Sequence, residues 1–84
     1  MKTEQFHAKN QFIIYTDNGK YFQSYNSIIV FHPYNVDEPV QLDVNYWDYS
    51  KTTGKYRNLF LHETKKETEQ KIKSGEYILT DLNK

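Results

Sequence analysis

The stretch from Tyr46 to Asn58, Tyr-Trp-Asp-Tyr-Ser-Lys-Thr-Thr-Gly-Lys-Tyr-Arg-Asn, gathers four aromatic rings, three bases and several short polar side chains within thirteen residues. Inside it, Thr52-Thr53-Gly54-Lys55 approaches a phosphate-cradling loop. The G-x-x-x-x-G-K-[ST] pattern, however, requires glycine at 49 and Ser or Thr at 56, and tyrosine stands at both positions. The three histidines, His7, His32 and His62, are too far apart in sequence to form the i, i+4 pair of a helical metal site, and there is no cysteine to supply thiolate ligands or a sulfur nucleophile. Asp37-Glu38 is a carboxylate pair, but a polar loop offers no desolvation to separate two pKa values for acid and base work. These residues predict no enzyme, no metal site and no cofactor.

Binding is the better reading of the segment. Trp, Tyr and Arg are the types enriched at the centres of protein interfaces, so Tyr49, Lys51, Lys55, Arg57 and Asn58 are the candidate partner-binding residues. Arg57 is the only arginine, and its planar fork grips a carboxylate or phosphate in a way that lysine cannot. A plainer role competes for it: an internal bridge to Asp48 or Glu63. A single-stranded nucleic acid is the alternative ligand, with rings stacked on bases and bases on phosphates. Against it stand Asp48 within the segment and a formal net charge of zero, which provides no general attraction for a polyanion. That zero is a sum of opposites: residues 34–50 carry four acids and no Lys or Arg, while residues 51–66 carry five bases and one acid. The two runs either steer a complementary partner or neutralise each other within the fold.

Eighty-four residues allow one small core, and with 37% hydrophobic residues, eight of them tyrosine, the rings must provide much of its area. The polar residues 1–10 show no period and read as a loose lead-in to a single domain over 11–84. Gln11 to Thr16 is rich in β-branched and aromatic types, and Asp17-Asn18-Gly19, tolerant of positive φ, marks a hairpin. The return strand, Lys20 to His32, is interrupted at Asn26-Ser27 by a bulge or bend and is ended by Pro33. Val40, Leu42, Val44 and Tyr46 alternate with polar residues as a half-buried third strand. Thr52 or Thr53 then caps a helix with Tyr56, Leu59 and Phe60 on its inner face, which would leave Lys55, Arg57 and Asn58 in solvent beside Tyr49. Thr64 and Glu67 form a capping box for a second helix that stops at Gly75, and Glu76 to Leu82 is the last strand. The order β-β-β-α-α-β makes an α+β domain with a mainly antiparallel sheet and both helices on one face. The expected core comprises Phe12 or Ile13, Ile29, Val40, Leu42, Leu59, Phe60, Ile72 and Ile78, with Trp47 buried and some tyrosines outside.

The motif W-D-Y-S-x-T-T-x-K-Y-R-N-x-F-L over Trp47 to Leu61, with Ser24-Tyr25-Asn26-Ser27-Ile28-Ile29 before it and Ile72-Lys73-Ser74-Gly75 after it, resembles a family of small uncharacterised phage and mobile-element proteins. The abundance of Lys, Asn, Ile and Tyr, whose codons are AT-rich, agrees with such an origin. The resemblance implies a compact accessory protein but transfers no site. By analogy with small phage proteins, the expected function is to bind and inhibit a host or defence protein of the kind that anti-CRISPR and anti-restriction factors target. The absence of cysteine fits a reducing compartment, so the expected location is the host cytosol, and no apolar run approaches the roughly 20 residues of a membrane span.

Overall fold

A computed structural model describes residues 1–84. Six strands form one sheet in sequence order: β1 (Lys2–Gln5), β2 (Gln11–Tyr15), β3 (Gly19–Ser24), β4 (Ser27–Pro33), β5 (Val40–Asp43) and β6 (Tyr77–Thr80). The first five are antiparallel neighbours. Between β5 and β6 come helices α1 (Lys51–Leu61) and α2 (Lys65–Ser74), and this crossover makes the last pair parallel. The class is α+β, as the sequence predicts.

Two strands more than expected arise from two local causes. The lead-in is not loose: Lys2 to Gln5 pair with Tyr15 to Phe12 as an edge strand exposed along its whole length. Phe6, just beyond it, packs edge-on against Phe22 and Phe60 with centroids 6.0 and 6.1 Å away, anchoring the strand to the core. The interruption at Asn26 is a hairpin: Ser24 pairs with Ser27 across Tyr25-Asn26, and Tyr25 takes the left-handed φ of 56° that reverses the chain. A bulge does occur in β4, but at Ile29, the residue skipped between the pairs Phe22–Val30 and Gln23–Ile28. It lets the consecutive Ile29 and Val30 both be fully buried. The Asp17-Asn18-Gly19 hairpin is where expected but uses no positive φ. The Thr16 hydroxyl instead accepts from the Asn18 and Gly19 amides and donates to Gly19 O. Glycine is needed there because a Cβ would lie 2.5 Å from His32 O and 2.8 Å from the Phe31 ring.

The helices cover one sheet face. Phe60 of α1 stacks on Phe22 at 5.6 Å, and Ile13, Ile29, Val30, Leu42 and Tyr77 complete the buried apolar cluster. Val40, Trp47 and Ile72 pack at its margin. Two expected core residues are outside: Leu59 is 42% exposed and Ile78 40% exposed. Ile78 belongs to the other face, where it sits in register with Gln41, Phe31, Tyr21 and Ile14 and no helix covers it. The third strand is also shorter than its alternation suggests. Asp43, fully buried, turns its carboxylate onto the amides of Asn45, Tyr46 and Leu82, which ends β5 and leaves Val44 and Tyr46 exposed.

Candidate functional site

The first helix starts two residues earlier than a Thr52 cap would allow and three earlier than a Thr53 cap would. Ser50, in extended conformation, accepts from Thr53 N at 3.1 Å and is the N-cap. Thr53 instead lies inside, its hydroxyl 2.8 Å from that of Ser24 on β3. Thr53, Arg57 and Phe60 are spaced i, i+4, i+7 and therefore share the buried face. This corrects the placement of Arg57: it does not project into solvent but is 1% exposed. Its guanidinium lies 5.1 Å from the Trp47 ring centroid. Nη1 donates to Trp47 O at 2.6 Å and meets Asp48 Oδ1 at 3.3 Å, while Nη2 donates to Asn58 Oδ1 at 3.0 Å. The bridge to Asp48 is the structural role weighed for this residue, and Glu63 takes no part in it.

Burial does not remove Arg57 from the site. A cleft of about 930 Å³ runs along α1, and Tyr49, Lys51, Lys55, Arg57 and Asn58 all line it, together with Asp48, Gly54, Leu59, His62, Glu63 and Lys65. Lys51 and Lys55 are exposed on its rim and Tyr49 is 47% exposed, its ring edge-on to Tyr46 at 5.4 Å. Asp48 is shared, taking Lys65 Nζ at 2.7 Å on its second oxygen. Burial alone would raise the Asp48 pKa, but the contacts from Lys65 and Arg57 outweigh it and hold the carboxyl below its ordinary value.

A second polar cluster closes the far end, and sequence reasoning missed it. Glu63, its side chain 3% exposed, accepts from Lys71 Nζ and Tyr77 OH at 2.8 Å each and from Thr68 Oγ1 at 2.5 Å. Burial opposes ionisation of Glu63, yet these three donors lower its pKa. Burial first, then the carboxylate partner, pushes the Tyr77 phenol up to about 12, and Lys71 is raised chiefly by its bond to Glu63. A carboxylate kept ionised with its lone pairs occupied is poorly suited to proton transfer near neutral pH. The cluster ties the α1–α2 junction to β6. Its members come from four separate positions, 63, 68, 71 and 77, and only their assembly reveals it. The capping box and stop of α2 are as expected: Thr64 and Glu67 exchange bonds of 3.2 and 3.0 Å, and Gly75 has φ 84°.

No group of three or more His, Asp or Glu residues is placed to hold a metal ion, and no helix is long and apolar enough to cross a membrane. Fold and cleft together define a two-layer α+β domain with a basic groove beside its first helix. Residues 1–76 match the model of the family of unknown function DUF8033, and the chain belongs to that family. No curated protein and no solved structure matches it.

Proposed function

We propose that this chain is a non-catalytic module that binds a protein partner through the cleft along α1. In this reading it is a small phage-type accessory protein that inhibits a host or defence component in the host cytosol by occupying its surface. One observation carries the binding reading: the five residues singled out by type, Tyr49, Lys51, Lys55, Arg57 and Asn58, converge on one cleft despite the burial of Arg57. A hydrogen-bonded floor at Arg57 and an exposed basic rim at Lys51 and Lys55 together suit recognition, since groups already fixed lose little entropy on binding. Both carboxylates at the cleft are engaged by cations, which argues against their use as a general base. The phage setting is supported by the motif around Trp47 to Leu61 and by the abundance of Lys, Asn, Ile and Tyr, residue types with AT-rich codons.

The test is retention of a host protein by immobilised wild-type chain, repeated with the double variant Lys51→Glu, Lys55→Glu. A discrete partner held by the wild type and lost by the variant supports the reading. A single-stranded oligonucleotide bound with steep salt dependence, with no protein retained, replaces it by the nucleic-acid alternative.

A further inference from the structure

We infer that the cleft is a carboxylate-recognition site for an acidic segment of the partner, with Arg57 as its fixed anion contact and Gly54 as the residue that keeps room beside the guanidinium. This rests on the binding reading above and names the chemistry of what the cleft receives.

Gly54 is the first observation. It lies inside α1 without a left-handed φ, and a Cβ there would meet nothing closer than 3.7 Å. Neither backbone conformation nor crowding requires glycine, although glycine weakens a helix interior. The atoms a Cβ would touch are Nη1, Nη2 and Cζ of Arg57, at 3.7, 3.7 and 3.9 Å. What the missing methyl preserves is space against the guanidinium at the cleft floor.

The state of the guanidinium is the second. Its ring contact with Trp47 and its short bond to Trp47 O fix the fork before any ligand arrives. Its bond to Asp48, at 3.3 Å, is the longest it makes, and Asp48 has a shorter one to Lys65 at 2.7 Å. Nε of Arg57 is one of only two buried side-chain polar atoms with no hydrogen-bond partner in the chain. The anion capacity of this arginine is therefore incompletely used. An incoming carboxylate that takes the side-on fork of Nε and Nη2 leaves Nη1 with Trp47 O and Asp48, and gives the guanidinium the bidentate partner it lacks.

The apolar edges distinguish the ligand class. Tyr49 and Leu59, each more than two-fifths exposed, flank the lysines and match a segment that alternates acidic and apolar residues. A nucleic acid would bring a continuous line of phosphates past Asp48 onto a chain of zero net charge.

Because Arg57 is the sole arginine, its Nε–H gives one unambiguous nuclear magnetic resonance signal. The experiment titrates the full chain with a blocked peptide of alternating Glu and Leu, its Gln-for-Glu counterpart, and oligothymidylate. The Glu peptide is expected to shift the Arg57 Nε–H signal saturably, and the Gln peptide is expected not to. Gly54→Ala should weaken the Glu peptide by about tenfold or more while raising the melting temperature by about 2–8 °C. A Glu peptide that binds without moving the signal, unchanged affinity in Gly54→Ala, or preference for oligothymidylate overturns the inference. A host protein lost by the Lys51→Glu, Lys55→Glu variant but held undiminished by Gly54→Ala also overturns it while leaving the binding reading in place. Loss by neither variant removes that reading itself.

Discussion

Replacing Glu63 by Gln keeps the shape of the side chain and removes the charge on which Lys71, Tyr77 and Thr68 converge. Bonds to a charged group are worth about 1.5–3 kcal/mol each and neutral ones about 0.5–1.5, so three bonds lose roughly 1 kcal/mol apiece. The Lys71 contact counts for less, since that side chain is 35% exposed and screened. The net expectation is a loss of about 2–3 kcal/mol near neutral pH, against a total of about 4–13 kcal/mol for a chain of this length. Urea denaturation should show a lower midpoint with an unchanged slope. The pH dependence has a definite sign. The folded-state pKa of Glu63 lies below the ordinary value of 4.5, so its contribution is complete above that value and is lost as pH falls through the folded pKa. The gap between wild type and Glu63→Gln should therefore narrow in acid, whereas the acid lability contributed by Asp48 is common to both proteins and cancels. A gap under about 0.5 kcal/mol near neutral pH, or one that stays at full size at about pH 3, would refute the argument.

Gly19→Ala forces a Cβ to within 2.5 Å of His32 O and should cost about 1–3 kcal/mol, read as a lower urea midpoint. Thr64→Ala removes one half of the capping box and should cost about 1 kcal/mol, with reduced helix signal in circular dichroism. Tyr77 should ionise near 12 in an ultraviolet titration. Because its folded pKa exceeds the ordinary 10.0, the stability it contributes is complete below 10 and fades as pH rises towards 12; Glu63→Gln should bring that ionisation down.

Features closed within about four residues were legible in the sequence: the Thr64–Glu67 box, the Gly75 stop and the position of the turn at Asp17-Asn18-Gly19, although that turn is held by the Thr16 hydroxyl and not by the positive φ expected of it. Each depends only on residues next to one another in the chain, so spacing places it. β1 was not legible because both its faces are exposed and no hydrophobic period marks it; ladder bonds to β2 and the single ring of Phe6 hold it. The inner face of α1 was misjudged for a related reason. Counting apolar residues favoured Tyr56, Leu59 and Phe60, but two of the positions turned inward, Thr53 and Arg57, are polar. Each is held by residues elsewhere in the chain, Thr53 by Ser24 and two of the three guanidinium nitrogens of Arg57 by Trp47, Asp48 and Asn58. Asp43 broke the alternation of β5 in the same manner, through three backbone amides.

The opposed charge runs are resolved by the fold into two parts that behave differently. Asp48 crosses from the acidic run to meet Arg57 and Lys65 of the basic one, and Asp43 is committed to backbone amides. These charges neutralise or cap within the molecule, as the plainer reading of the runs expects. Asp37 and Glu38 in the β4–β5 loop, and Lys51 and Lys55 at the cleft, make no ion pair. They remain to act on whatever approaches. A partner bearing acids opposite the cleft would be attracted by the rim lysines before it reached the guanidinium, which is too deeply buried to make first contact. On the proposed reading the rim would govern the rate of encounter and the floor its persistence. Arg57 can serve as an anchor because the same burial that makes it structural holds its donors in a single geometry.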